Sequence, residues 1–188
     1  MLIADDEALT RMGLRAMLGD MGHTLVGAAA DGIAALRIAC ESHPDLALLD
    51  IKMPGMDGLA VAQAIAERCP LPVVMLSAYS ERELVERAAA TATVQAYLVK
   101  PVREADLGPV LELAASRFAE WSALQAEAAG RQQALEDRRL VAQAKGHLME
   151  RQGLSEAQAF LEIQGRARRA RRTMRQVAEE ILATAGDA

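Results

Sequence analysis

The chain has 188 residues, 52% of them hydrophobic but only 3% aromatic, and a formal net charge of −5. That is room for one large domain or two small ones with an alanine-rich, helix-leaning interior. No apolar run approaches the roughly 18 residues of a membrane span, and Asp5, Asp6 and Glu7 stand where a secretory leader needs basic residues.

The charge is unevenly spread. Residues 1–112 carry 9 basic and 16 acidic side chains, or −7, whereas residues 138–175 carry 10 and 3, or +7. Two modules with different partners are expected, the second facing a polyanion. Cys40 and Cys69 fall in separate predicted helices without metal-ligand spacing, and read as reduced thiols of a cytoplasmic protein.

In chain order, Leu2-Ile3-Ala4 reads as a minimal strand, followed by Asp5-Asp6-Glu7 and a helix with Leu9, Met12, Gly13, Ala16 and Met17 on one face, broken at Gly22. Leu25 to Ala28 is a second strand, and Gly32 to Glu41 a second helix. Leu46-Ala47-Leu48-Leu49 is a short apolar run ending in Asp50. Pro54-Gly55 and Asp57-Gly58 then turn the chain, and Asp57 caps a third helix carrying Leu59, Ala62, Ile65 and Ala66. Val73 to Ser77 is a fourth strand, Glu81 to Ala90 a fourth helix, and Ala96 to Val99 a fifth strand ending at Lys100-Pro101. Strand and helix alternate five times at a period of about 22 residues, which predicts an α/β fold: a five-stranded, doubly wound parallel sheet.

The polar residues at the C-terminal strand ends are Asp5, Asp6, Asp50, Ser77 and Lys100, and a parallel sheet brings those ends to one crevice. Each has a plain reading alone: an N-cap pair, a turn hydroxyl, a solvated lysine. Together they make an acidic pocket that needs a cation, suits Mg²⁺, and would accept a phosphoryl group on Asp50 with Lys100 balancing its charge.

Asp5-Asp6, Asp50-Ile51-Lys52-Met53-Pro54-Gly55-Met56-Asp57-Gly58, Ser77-Ala78 and Tyr97-Leu98-Val99-Lys100-Pro101 together resemble the receiver domain of two-component response regulators, over residues 1–112. The resemblance implies a flavodoxin-like fold and a sensor histidine kinase that phosphorylates Asp50. It implies Mg²⁺ held by Asp6, Asp50 and the Lys52 carbonyl with Asp5 assisting, phosphoryl contacts from Lys100 and Ser77, and Tyr97 as a switch. The Lys100-Pro101 bond is expected to be cis. The stretch 90–95 departs from the family's pattern in lacking its usual glycine.

Residues 113–137 are expected to be a helical linker. Pro109 suits the first turn of the helix that leads into it. Leu111, Ala114, Phe118, Trp121, Ala128 and Leu135 keep a 3-4 spacing that fits either a weak coiled coil, giving a homodimer on activation, or one amphipathic helix packed on the receiver. Gly130 argues against an uninterrupted rod. Residues 138–188 read as three short helices: Leu140, Val141, Ala144, Leu148 and Met149 inward in the first, Ala157, Phe160, Leu161 and Ala167 in the second, and Val177, Ala178, Ile181 and Leu182 in the third. Ser155 to Gln158 and Thr173 to Gln176 are capping boxes.

Ala144-Lys145-Gly146, Leu148-Met149, Gly153, Ser155, Ala159 and Val177 to Leu182 resemble the ANTAR output domain, over about 138–185. That resemblance implies binding of RNA hairpins and transcription antitermination. Lys145, Arg151, Arg166, Arg169 and Arg172 are the candidate RNA contacts. A second reading gives the helical module duplex DNA as its partner. A third, an aspartate-nucleophile phosphatase, wants an acid two residues after the nucleophile, and Lys52 stands there. Slow loss of the chain's own aspartyl phosphate is the activity expected, not turnover of an external substrate.

Overall fold

The computed structural model describes residues 1–78 and 91–184. The helix expected over Glu81–Ala90 lies outside them. The chain divides into two compact units, Met1–Ser122 and Ala123–Ala188.

The first unit is a parallel five-stranded sheet in the order β2-β1-β3-β4-β5, formed by β1 (Leu2–Ala4), β2 (Gly27–Ala29), β3 (Ala47–Asp50), β4 (Val73–Ser77) and β5 (Val94–Val99). The period-2 alternation of strand side chains sorts the core into two layers. Leu2, Ala4, Leu49, Ile51 and Met75 pack with α2 (Gly32–Ser42) and α3 (Gly58–Arg68). Ile3, Leu48, Val74, Leu76 and Leu98 pack with α1 (Ala8–Asp20) and the first turns of α4 (Glu104–Gln152). Both faces are covered, so β1, β3 and β4 are buried at every position. The chain winds from β1 outward to β2, then returns past β1 to β3. The strand order therefore reverses between β1 and β3, and the crevice beyond their C-terminal ends is where such sheets bind ligands.

The face of α1 differs from the expectation. Leu14 and Leu18 are buried, with Met17 beside them, whereas Leu9 is 82% and Met12 67% exposed. The helix carries two apolar stripes, and the sheet takes the one containing two leucines four residues apart. The cysteines are also corrected: Cys40 on α2 and Cys69, the residue that ends α3, form a disulfide. The two helices lie side by side on one face of the sheet, bringing the Cα atoms to 5.4 Å despite 29 residues of separation.

The predicted linker and the first predicted output helix are one element, α4, running unbroken from Glu104 to Gln152. Pro109 is its sixth residue, not in its first turn. The helix starts earlier because Glu104 and Asp106 favour its N-terminus, and Asp106 accepts from Arg103 Nε at 2.6 Å. Gly130 interrupts nothing. Pairs four residues apart brace it across and after that position: Glu127–Arg131, Gln132–Glu136 and Gln133–Asp137. Leu111 and Ala114 are buried in the first unit's core, so the early part of the 3-4 pattern serves intrachain packing. Further along, Phe118 and Trp121 stack at 5.3 Å between ring centroids, and Leu124 and Leu135 are exposed.

In the second unit, the end of α4 packs with α5 (Glu156–Ala170) and α6 (Met174–Ala183). Both capping boxes form, Ser155 with Gln158 and Thr173 with Gln176. Val177, Ala178 and Ile181 point inward, as do Ala144 and Leu148. The inward face of α5 is Ala159, Ile163 and Ala167, leaving Ala157, Phe160 and Leu161 outward.

Candidate functional site

The first site forms where β1 and β3 end. Asp5 follows β1 and is fully buried, and Asp50 closes β3 with 5% of its surface exposed. Lys100, one residue beyond β5, reaches both: its Nζ lies 2.8 Å from Asp5 Oδ2 and 2.8 Å from Asp50 Oδ2. The Lys100 N–H donates to the Ser77 carbonyl at 2.9 Å, so the sheet ladder sets where the lysine begins. The Lys100-Pro101 peptide is cis. Ser77 is buried at the end of β4, in register with Val99, and the Tyr97 ring is half-buried against the α2/α3 layer.

Burial pushes the Asp50 carboxyl above the ordinary Asp range. The Lys100 ammonium opposes that rise, and the neighbouring Asp5 and Asp6 add to it. For Lys100, burial favours the neutral amine, but Asp5 and Asp50 outweigh it and its affinity for a proton rises. Burial raises the Tyr97 phenol.

Asp5 Oδ1 accepts from the Glu7 N–H at 2.8 Å, and the buried Asp5 Oδ2 meets the Lys100 ammonium at 2.8 Å, a cation it shares with Asp50. Carboxylate oxygens of Asp5, Asp6 and Asp50 lie within 4.8 Å of one another. Three carboxylates with one lysine shared between two of them form an all-oxygen donor set that fits a hard divalent cation, Mg²⁺ in character. Lys52 stands in the exposed loop two residues beyond Asp50.

Two residues shape this pocket without having been singled out for it. Arg11 on α1 donates from Nη1 to the Asp5 carbonyl at 2.7 Å and to the Asp6 carbonyl at 3.0 Å, fixing the acidic loop. Nothing in its spacing distinguishes it from a solvated helix arginine. Gly58, read only as a turn residue, starts α3 directly against Asp50: a Cβ there would lie 2.0 Å from the Asp50 carbonyl oxygen. Its N–H donates to Ile51 O at 2.9 Å, while Asp57 caps the helix by accepting from Ala60 N at 2.7 Å. The close approach that glycine permits seats the α3 N-terminus against the Asp50 backbone.

The second site is the basic face of the helical unit. Arg166, Arg169 and Arg172 line one cavity of about 400 Å³ together with Glu180. All three are near carboxylates: Arg166 pairs with Glu162 at 2.8 Å, Arg169 lies 4.0 Å from the same Glu162, and Arg172 pairs with Glu180 at 2.6 Å. Lys145 pairs with Glu156, which holds that carboxyl below the usual Glu range, and Arg166 does the same to Glu162. Arg151 has no ion pair among the described residues and lies apart from that cavity's lining. Phe160, expected in the core, is 40% exposed. No helix among the described residues is long and apolar enough to cross a membrane.

Comparison with known proteins matches residues 1–112 to the response regulator receiver domain and residues 129–182 to the ANTAR domain. The transcriptional regulatory protein PdtaR of Mycobacterium tuberculosis is 48% identical over 98% of this chain and 90% of its own length. The positive alginate biosynthesis regulatory protein of Pseudomonas aeruginosa is 40% identical over 60% of this chain and 46% of its own. Among solved structures, the receiver domain of the putative response regulator NarL from M. tuberculosis superposes with a TM-score of 0.57 at 34% identity, covering 61% of this chain and 94% of that domain. The receiver domain of NtrX from Brucella abortus gives 0.57 at 33% identity, with coverages of 61% and 97%.

Proposed function

Because the chain belongs to the response regulators that join a receiver domain to an RNA-binding ANTAR antitermination domain, we propose that Asp50 is its phosphoacceptor and that phosphorylation controls RNA binding by the helical unit. The observation that carries this is Lys100 between two buried carboxylates, 2.8 Å from the Oδ2 of each, with the Asp6 carboxylate close by.

An Asp50 carboxylate oxygen attacks the phosphorus of a phosphohistidine on a sensor kinase. A P–O bond forms, the P–N bond breaks, and the imidazole leaves. Lys100 stays within reach of the added group and offsets its charge, and the Ser77 hydroxyl donates to a phosphoryl oxygen. Asp5, Asp6, Asp50 and the Lys52 carbonyl would hold Mg²⁺, which supplies charge neutralisation for the phosphoryl oxygens. Arg11 keeps Asp5 and Asp6 oriented toward that position. Tyr97, two residues before Val99 on the strand beside Ser77, moves toward the engaged serine and carries the change to the β5 edge. The acyl phosphate is lost by slow hydrolysis, so the chain turns over no external substrate.

Residues 1–112 act as the receiver, 113–137 as the connecting helical stretch and 138–188 as the RNA-binding module, in the cytoplasm. Leu124 and Leu135, exposed on α4, are the apolar surface on which an activated homodimer forms. Lys145, Arg151, Arg166, Arg169 and Arg172 contribute phosphate contacts.

The test is sedimentation velocity and RNA gel shift with and without Mg²⁺ and a small phosphodonor, on wild type and Asp50→Ala. A phosphodonor-dependent gain in RNA affinity, absent in Asp50→Ala, is expected. Equal RNA binding by Asp50→Ala and phosphorylated wild type would sink the reading.

A further inference from the structure

A second cavity, of about 470 Å³, opens in the helical unit between α4, α5 and the start of α6. Its lining combines Val141, Phe160 and Met174 with three cations, Arg138, Lys145 and Arg175. Phe160 is the single aromatic residue after Trp121. The unit's core closes without it, through Ala159, Ile163 and Ala167 on the same helix. At 40% exposed it presents a ring to solvent inside a basic concavity.

An exposed phenyl ring costs hydration free energy, and an apolar protein partner would not need three cations around it. An unstacked nucleobase needs both features: a flat apolar face to lie on, and positive charge for the phosphates on either side of it. The cavity also carries polar edges. Thr173 Oγ1 accepts from the Gln176 N–H at 3.2 Å, so its hydroxyl proton remains available to donate. Asp137 Oδ1 takes Gln133 Nε2 at 2.8 Å and Arg175 Nη1 at 3.0 Å, which fixes both the carboxylate and the guanidinium at the rim.

We propose that this cavity is a nucleobase subsite: one base from a single-stranded RNA loop stacks on Phe160, and Arg138 and Lys145 hold the flanking phosphates. The proposal rests on RNA as the partner of the helical unit. It is distinct from the Arg166–Arg169–Arg172 cavity, which has arginines but no aromatic face. The division of labour is that the arginine cavity supplies charge and the Phe160 cavity reads whether a loop base is there to be flipped out.

The experiment uses the full-length, phosphodonor-treated chain and a pool of RNA hairpins with a fixed stem and a randomised loop. Hairpins recovered by wild type are resynthesised with an abasic site at each loop position, and the stem alone serves as a loopless duplex. The variants are Phe160→Leu, Phe160→Trp and, as a control on the exposed neighbour, Leu161→Ala. Phe160→Leu is expected to weaken hairpin binding roughly 5- to 100-fold while leaving the loopless duplex unaffected, and Phe160→Trp to restore it. An abasic site at one loop position should cost wild type the same factor and cost Phe160→Leu nothing more. Hairpin binding by Phe160→Leu equal to wild type overturns the subsite while leaving RNA as the partner. An equal loss on the loopless duplex overturns it too, as does a change in sedimentation showing that Phe160 meets protein. Failure of wild type to recover any hairpin removes RNA as the partner, and the subsite with it.

Discussion

Gly58→Ala tests whether the phosphoacceptor is held by backbone packing. The added Cβ would stand 2.0 Å from the Asp50 carbonyl oxygen, 2.9 Å from its carbonyl carbon and 3.0 Å from Met75 Cε. The methionine can swing aside, but the Asp50 backbone is fixed at the end of β3 by its pairing with Leu76 of β4 and by the Ile51 N–H bond to Leu76 O, and cannot. The start of α3 must therefore shift outward, stretching the Gly58 N–H bond to Ile51 O and the Asp57 cap. Overpacking of about 1–3 kcal/mol and a weakened hydrogen bond worth about 1 kcal/mol outweigh alanine's small helical advantage. The variant should lose about 3 kcal/mol in urea unfolding and take up phosphoryl groups poorly, because the displaced turn of α3 packs directly on Asp50. Gly13→Ala is the comparison: nothing lies within 4 Å of its Cβ, so that variant should unfold at or slightly above the wild-type midpoint. Equal midpoints for Gly58→Ala and wild type would refute the reasoning.

Lys100→Ala leaves two buried carboxylates facing each other and should cost about 3 kcal/mol at neutral pH. Because the folded state already raises Asp50, stability from that group is complete below the ordinary Asp range and declines as pH rises through the raised value. The Lys100→Ala deficit should therefore shrink in acid, and also with added Mg²⁺; a deficit independent of both, measured by denaturant titration, contradicts the site. Reducing the Cys40–Cys69 bond, which closes a separation of 29 residues, should cost up to about 3–4 kcal/mol, and Cys40→Ser should show the same loss with or without reductant. Thr93→Val removes the buried Oγ1 bond to Ala62 O and should cost about 1 kcal/mol by thermal unfolding. Glu156→Gln releases Lys145 and should raise RNA affinity roughly two- to fivefold at low salt; a gel shift showing no gain would mean that Lys145 is not a contact.

Much of the acidic pocket is legible in the sequence because its residues sit at strand ends, where an apolar run stops and a charge or hydroxyl begins. Asp5, Asp50, Ser77 and Lys100 need only the sheet topology to converge. Capping residues are equally local, and Asp57, Ser155 and Thr173 make the bonds their positions imply. The faces of α1 and α5 were not legible. Each helix carries more apolar residues than its partner can cover, and Leu9, Met12, Phe160 and Leu161 lose the competition to smaller or better-spaced neighbours. The continuity of α4 through Pro109 and Gly130 depends on side-chain pairs and core contacts that override local propensity. The disulfide depends on α2 and α3 lying together, a tertiary fact with no trace in the spacing of Cys40 and Cys69.

The ion pairs of the helical unit alter how its positive charge should be counted. The +7 of residues 138–175 suggests free cations, yet Lys145, Arg166, Arg172 and Arg175 each hold a carboxylate. RNA phosphate reaching these groups exchanges one anion for another. The gain is limited to the difference between a phosphate contact and a surface carboxylate pair. Arg138, Arg139, Arg151, Arg168 and Arg171 have no such partner among the described residues, so a phosphate there meets no competing carboxylate and releases only bound solvent anions. The salt dependence of binding should then follow these five more closely than the arginines lining the cavity with Glu180. Alanine at Arg168 or Arg171 should flatten the slope of log K against log salt by about one each, and alanine at Arg172 by clearly less. If Arg172→Ala flattens it most, the Glu180 pair opens freely and the accounting by partners is wrong.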